Sequence, residues 1–237
     1  MIYGAILAGG IGSRMKLADM PKQFLPLGDK PIIIHTLEKF LISSRLDKVY
    51  IGVHPNWISY LNDLIDKHIE DNSRVYVVEG GQDRNSTIFN IISSIEKNKS
   101  LSEEDIIVTH DSVRPFITLR ILEDNIDAAL KYGACDTVIN ATDTIVESRD
   151  GVSISNIPPR KYMYQGQTPQ SFNINKLKKL YTNLSQEEKE ALTDACNIFV
   201  KRDEYVHLVE GEVSNLKITT VNDYEIVQAM IGGSDHD

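Results

Sequence analysis

The chain has 237 residues, 41% of them hydrophobic and 25% charged, with a formal net charge of −9. No apolar run approaches the roughly 20 residues that cross a bilayer, so membrane insertion is excluded. The acidic balance argues against broad binding of DNA or RNA. Cys135 and Cys196 lie far apart and match no metal spacing. They read as small buried thiols in a reducing compartment. With no basic n-region or cleavage site at the N-terminus, the expected location is cytoplasmic.

Apolar runs alternate with helical patterns along the first 140 residues. "IYGAILA" reads as a buried strand. "PIIIHTLEKFLIS" puts Pro31 at the first helical position and Ile33, Leu37, Phe40 and Leu41 on one face. "KVYIGVH" is a second strand. A helix then carries Trp57, Leu61, Leu64, Ile65 and His68 on one stripe, where Trp57 reads as core. "RVYVVEG" is a third strand, followed by a helix with Ile88, Ile91, Ile92 and Ile95. "DIIVTHD", a helix over 119–131 and "DTVINATD" complete the series. This alternation predicts an α/β, Rossmann-like fold with a mostly parallel sheet and helices on both faces, in one domain over 1–237.

The pattern breaks over 143–160. "DTIVESRDGVSISNI" has two short β-rich runs around the turn "SRDG". It reads as a protruding β-hairpin, either an arm gripping a second copy in a homodimer or a solvent-exposed excursion. "YMYQGQTPQSF" follows as a loop, then two or three helices. Strands are expected near "VHLVEG" and "NLKITT", then a final helix from about Asn222 and a fraying tail.

"LAGGIGSRM" follows the first strand. It fails the dinucleotide fingerprint, because the last glycine position is Met15, and it lacks the Gly-Lys-Ser/Thr of a P-loop. Glycines after a strand can simply make a tight turn. Here Arg14 and Lys22 share the same irregular segment, and bare backbone N–H groups beside two cations suit a polyphosphate. Gly9, Gly80 and Asp111 fall at strand carboxyl ends, where ligands sit in such sheets.

"LAGGIGSRM…MPKQFLPLGDKPIIIHTLEKF" resembles the N-terminal signature of sugar-phosphate nucleotidyltransferases, and more narrowly of the polyol-phosphate cytidylyltransferases. The resemblance continues through "GGQDRNST", "VTHDSVRPF", "YQGQTPQSF", "TDA" and "NLKITT", and so covers nearly the whole chain. "HDSVRPF" with "YQGQTPQSF" is most similar to the branch acting on ribitol 5-phosphate; the other branch considered acts on 2-C-methyl-D-erythritol 4-phosphate. Lys16 departs from the family's usual small residue, adding local charge or remaining solvated.

The resemblance implies attack by a polyol phosphate on the α-phosphorus of CTP, giving a CDP-polyol and pyrophosphate. For the ribitol branch this means CDP-ribitol for teichoic-acid-type polymers. Two anions must meet, so the protein's task is positioning and charge neutralisation. Arg14 and Lys22 match the family's transition-state stabilisers. Leu7, Ala8, Gly9 and Gly10 would give backbone contacts to the nucleotide. Gly81, Gln82 and Thr87 match positions around the cytosine, and Ser112 a further nucleotide contact. Arg84 either joins them or ties its loop in place. Asp111 matches an acid holding Mg²⁺ against the triphosphate; the alternative is a turn cap. Arg114 faces the polyol phosphate or braces its loop, and His110 reads as structural. Arg160 and Lys217 match cations that hold the incoming phosphate, with Arg160 reaching a neighbour's pocket. Thr193 and Asp194 contact substrate or cap a helix.

Two other classes fit parts of this pattern. A nucleotide-sugar glycosyltransferase usually shows Asp-x-Asp at this strand end, but Val113 stands where the second Asp would be. A non-catalytic nucleotide-binding regulator is disfavoured by the joint presence of Arg14, Lys22, Asp111, Arg160 and Lys217.

Overall fold

The computed structural model describes residues 1–10 and 20–232. Arg14 and Lys16 therefore lie outside the described residues. In chain order the elements are β1 (Ile2–Ala8), β2 (Pro26–Leu27), β3 (Lys30–Pro31), α1 (Ile32–Ile42), β4 (Lys48–Val53), α2 (Ile58–His68), β5 (Val75–Glu79) and α3 (Arg84–Asn98). Then come β6 (Ile106–Asp111), α4 (Leu119–Tyr132), β7 (Ala134–Asn140), β8 (Tyr164–Asn173), α5 (Ile174–Thr182), α6 (Gln186–Glu190), α7 (Cys196–Val200), β9 (His207–Glu210) and α8 (Val221–Gly232).

Seven strands form one sheet in the order β5-β4-β1-β6-β8-β7-β9. All neighbours are parallel except β8, which runs antiparallel to β6 and β7. Helices cover both faces, as the alternation predicts. On one face α1, α2 and α4 bury Ile34, Leu37, Leu61, Ile65, Ile121 and Ile126 against Ile6, Val49, Ile51 and Val108. On the other, α3, α5 and α7 bury Ile88, Ile92, Leu177 and Phe199 against Tyr3, Ala5, Ile107 and Phe172. A smaller cluster holds α8 through Val227 against Leu25, Leu27, Ile32 and Ile218.

Two expectations need correction. "YMYQGQTPQSF" is not a loop: ten of its residues and neighbours make β8, an interior strand. It reads as loop because Gln167, Thr168, Gln170 and Ser171 are polar, yet all four are buried. Pro169, which has no N–H to give a ladder, falls where pairing with β7 shifts register between Asp136 and Val138. Conversely, "NLKITT" forms no strand. It crosses the sheet's carboxyl end in extended form, held by Ile218 N donating to the Val113 carbonyl (3.0 Å) and by buried Asn215, which donates to the Thr168 carbonyl (2.8 Å).

The excursion between β7 and β8 is antiparallel but paired at one bridge, Glu147–Asn156. It leaves Val146, Val152, Ile154, Ile157 and Tyr162 exposed. Trp57 is core-associated, as expected, packing on Phe24 with ring centroids 5.2 Å apart.

Candidate active site

A cleft of about 380 Å³ opens at the carboxyl ends of β1 and β6. Leu7, Ala8, Gly9 and Gly10 form one wall. Gly81, Gln82, Arg84 and Thr87 face them, and Asp111, Ser112, Lys22 and Lys217 close the floor and rim.

The glycines need their bare backbone, Gly9 because the second loop lies against it and Gly81 because the start of α3 folds back on it. A Cβ on Gly9 would sit 2.9 Å from the Thr87 hydroxyl, and one on Gly81 would sit 2.2 Å from Ser86 Oγ. The Gln23 side-chain amide donates to the carbonyls of Ala8 (2.9 Å) and Gly10 (3.1 Å), fixing the first loop from beneath. The second loop runs into α3 through a capping box: Asp83 Oδ1 accepts from Ser86 N (2.7 Å), and Ser86 Oγ accepts from Asp83 N (2.9 Å). Thr87 Oγ1 accepts from Gly81 N (3.0 Å) and donates to the Asp83 carbonyl (2.8 Å). Its one proton is thus spent on the loop, so Thr87 shapes the cleft wall and has no proton left to donate into the cleft.

Asp111 lies at the end of β6 among three cations. Lys217 Nζ is 2.8 Å from Oδ2, Arg84 Nε 3.5 Å from Oδ1, and Arg114 Nε 3.7 Å from Oδ2. Burial alone would raise its pKa; the cations, Arg84 foremost, instead hold the carboxyl far below the usual range. Asp111 is ionised at any working pH. Lys22 points into the same space and donates from Nζ to the Ile218 carbonyl (2.9 Å).

Next to it, His110 is fully buried and its pKa is pushed down to about 4. Thr168 Oγ1 accepts from Asp111 N (3.2 Å) and lies 2.9 Å from His110 Nδ1. His110 Nε2 is 3.1 Å from the Arg114 carbonyl, which can only accept. One tautomer satisfies all of this: the proton sits on Nε2, and Nδ1 accepts from Thr168. His110 is structural, as its lack of partner histidines suggests.

A family model described as 2-C-methyl-D-erythritol 4-phosphate cytidylyltransferase matches residues 2–233. The chain belongs to this cytidylyltransferase family. It is 54% identical over 232 residues to the ribitol-5-phosphate cytidylyltransferase of Streptococcus pneumoniae serotype 2, covering 98% of this chain and 99% of that protein. The 4-diphosphocytidyl-2C-methyl-D-erythritol synthase of Anaerococcus prevotii superposes with a TM-score of 0.78 at 26% identity, covering 98% of this chain and 96% of that one. The Francisella tularensis 2-C-methyl-D-erythritol 4-phosphate cytidylyltransferase, 24% identical, shares the fold with a TM-score of 0.76, over 96% of this chain and 99% of that one.

This cytidylyltransferase keeps several expected site residues apart. Arg114 is not on the cleft wall. It is buried, and its Nη1 donates to the Asn215 carbonyl (2.6 Å), so it braces the loop and backs Asp111. Arg160 is exposed beyond the cleft, donating from Nη1 to the Thr142 carbonyl (2.8 Å) at the base of the excursion. Thr193 is exposed and does not line the cleft, whereas Asp194 Oδ1 accepts from Asn197 N (3.0 Å) at the start of α7. The capping alternative therefore describes Asp194.

Gln23, Asp83, Thr168 and Thr219 were not anticipated from the sequence. Asp83 had a readable signal, the Asp-x-x-Ser spacing of a capping box before an apolar run. Gln23 and Thr168 had none, because their roles rest on burial.

The donor set suits a magnesium ion. Among the described residues no group of three or more potential ligands is gathered, but Mg²⁺ bound to a triphosphate needs only one or two carboxylates from protein. Among the described residues Asp111 Oδ1 is met by Arg84 Nε at 3.5 Å and by no closer donor.

Proposed function

We propose that this cytidylyltransferase joins CTP and ribitol 5-phosphate to give CDP-ribitol and pyrophosphate. The observation that carries the substrate choice is the 54% identity, nearly end to end, with the S. pneumoniae ribitol-5-phosphate enzyme. The cleft supports the reaction class. The peptide groups of Leu7–Gly10 and the Gly81–Gln82 loop cradle the nucleotide. Lys22, with Arg14 eight residues before it in the sequence, meets the charge that builds on the α-phosphate and on departing pyrophosphate. Lys217 shifts from Asp111 to the incoming phosphate, which it holds for in-line attack. Arg84 and Ser112 lie close enough to contact nucleotide phosphates or ribose. Asp111 would hold Mg²⁺, which when bound supplies charge neutralisation to the triphosphate. No protein nucleophile or proton relay is needed, because the acceptor phosphate is already an anion.

In the same reading the exposed apolar excursion over 143–160 is a dimerisation arm, and Arg160 at its base serves a neighbouring copy's site. The protein works in the cytoplasm, and its product feeds teichoic-acid-type polymer synthesis. No described helix is long and apolar enough to cross a membrane.

The test is pyrophosphate release from CTP with each polyol phosphate in parallel. Turnover of ribitol 5-phosphate well above that of 2-C-methyl-D-erythritol 4-phosphate supports the reading; the reverse order overturns it.

A further inference from the structure

Three cations face the one carboxylate of Asp111, and their contacts differ in kind. Charge-assisted hydrogen bonds lie at about 2.7–2.9 Å. Lys217 Nζ, 2.8 Å from Oδ2, makes one. Arg84 at 3.5 Å and Arg114 at 3.7 Å stand further off and act as charges. Both guanidinium groups keep buried donors without a hydrogen-bond partner, Nη1 and Nη2 of Arg84 and Nε of Arg114. Asp111 is therefore a shared counter-ion, and the cations around it are under-supplied with negative charge.

The three cations also differ in freedom. Arg114 is buried and tied through Nη1 to the Asn215 carbonyl (2.6 Å). Arg84 is the first residue of α3, set directly after the capping box. The Lys217 side chain is 44% exposed on the cleft rim, and among the described residues its ammonium meets Asp111 alone. The backbone beside it is pinned on both sides. Asn215 is buried and donates to the Thr168 carbonyl (2.8 Å) and to Gln167 Oε1 (3.1 Å). Ile218 is buried, donates from N to the Val113 carbonyl (3.0 Å) and accepts from Lys22 Nζ (2.9 Å). The ammonium can thus leave Asp111 by side-chain rotation alone, a fast event at an exposed position.

We propose that Asp111 is a specificity-determining residue that makes the cleft select a metal-complexed triphosphate over the metal-free one, with Lys217 as its exchangeable counter-ion. This rests on the reading of the protein as a CTP-using transferase with Asp111 directed at Mg²⁺. Asp111 stands on the cleft floor between Arg84 and Lys217, the cations that a triphosphate seeks. A metal-free triphosphate competes with Asp111 for both, and its oxygens meet a carboxylate of like charge. If Lys217 turns to the phosphates, Asp111 loses its short partner. If Lys217 stays, the phosphates go without that cation. A triphosphate that brings its own divalent cation removes the conflict, because Asp111 gives up Lys217 and keeps a positive partner. The penalty falls on one form of the ligand, which is discrimination by repulsion.

Titration calorimetry of the ligand-free protein with CTP, in excess EDTA and in excess Mg²⁺, reads this without turnover. Asp111 is sheltered, so the scale is that of a hydrogen bond to a charged group, and wild type should bind CTP about 10–100-fold more tightly with Mg²⁺ than without. Asp111→Asn should bind metal-free CTP about tenfold more tightly than wild type does, and Mg²⁺ should tighten its binding by less than about threefold. Lys217→Met leaves the carboxylate without its short partner. Lys217 is screened by water, so metal-free CTP should bind this variant about 3–10-fold more weakly than wild type, and the gain from Mg²⁺ should widen. Metal-free CTP binding to Asp111→Asn no more tightly than to wild type overturns the proposal. So does a gain from Mg²⁺ in Lys217→Met no larger than in wild type, a result that holds even where Asp111→Asn fails to fold. Wild type that binds CTP under neither condition defeats the nucleotide reading instead.

Thermal melting separates selection from scaffolding. Asp111→Asn strands the guanidinium groups, and a metal-free anion supplies the missing charge. Inorganic pyrophosphate in EDTA should therefore raise the Tm of Asp111→Asn more than that of wild type. An equal or smaller rise marks a carboxylate that only supports its loop, and sinks the proposal.

Discussion

Asp111→Asn removes one charge and almost no volume, and it should cost far more than a surface substitution. Three cations lean on this carboxylate. They are not equally sheltered: the side chains of Asp111 and Arg114 are 11% and 10% exposed, that of Arg84 20%, and that of Lys217 44%. Water screens Lys217, which can turn outward, so its short contact adds little. Arg114 cannot leave, because its Nη1 is tied to Asn215 and its Nε has no other partner. The dominant cost is that of stranding a buried guanidinium, about 3–5 kcal/mol, and partial exposure of Arg84 places it at the lower end, about 3 kcal/mol. For a chain of this size that lowers Tm by roughly 6–12 °C. The pH dependence is fixed by sign. Asp111 has a depressed native pKa, so its stabilisation is complete above the unfolded value near 4 and fades only as pH falls below it. The Tm difference should be flat from about pH 9 to pH 5. Differential scanning calorimetry of the ligand-free protein reads it directly. A Tm within about 1 °C of wild type at pH 7 would mean the cations do not depend on Asp111, and the electrostatic account of the site fails.

Lys22→Ala should lower kcat by about 10²–10³; a normal kcat in a pyrophosphate-release assay removes Lys22 from charge stabilisation. Gly81→Ala would bring its Cβ to 2.2 Å from Ser86 Oγ and 2.6 Å from the Ser86 carbonyl carbon. Because the latter is helix backbone, the loop must move. A destabilisation of about 1–3 kcal/mol and a clear rise in KM for CTP are expected, and an unaltered KM for CTP contradicts the proposed nucleotide wall. Arg160→Ala should leave Tm within measurement error, since its side-chain bond to the Thr142 carbonyl is exposed. It should raise KM for the polyol phosphate alone; equal loss of both substrates points to a structural role.

The fold was legible where burial and hydrophobicity coincide. Strands β1, β4, β5, β6 and β7 carry Val, Ile and Tyr and declare themselves, as do the apolar stripes of α1 to α4. Strand β8 hid because it is buried yet polar: Thr168 serves His110 and Asp111, and Gln170 serves Asp136, so hydropathy reports a loop. The segment at Lys217 misled in the opposite direction: Ile218 and two threonines suit a strand, but Ile218 N bonds the Val113 carbonyl without a ladder following, and the Thr220 carbonyl is taken by Tyr224 N of α8. Within the site, Lys22, Asp111 and Lys217 were readable as charges. For Arg114 the sequence left two readings open, facing the polyol phosphate or bracing its loop, because a sequence shows that a cation is present and not which carbonyl has captured it; the structure has the brace.

Strands β7 and β8 pair with each other along much of their length, and each also has a second neighbour in the sheet. Residues 141–163 leave and re-enter between two strands whose alignment is already fixed from outside. Such an insert can grow or shrink without sliding either ladder, and doubling its length costs only about 0.6 kcal/mol of closure entropy. The segment can therefore vary in length and sequence while the strands beneath the cleft stay put.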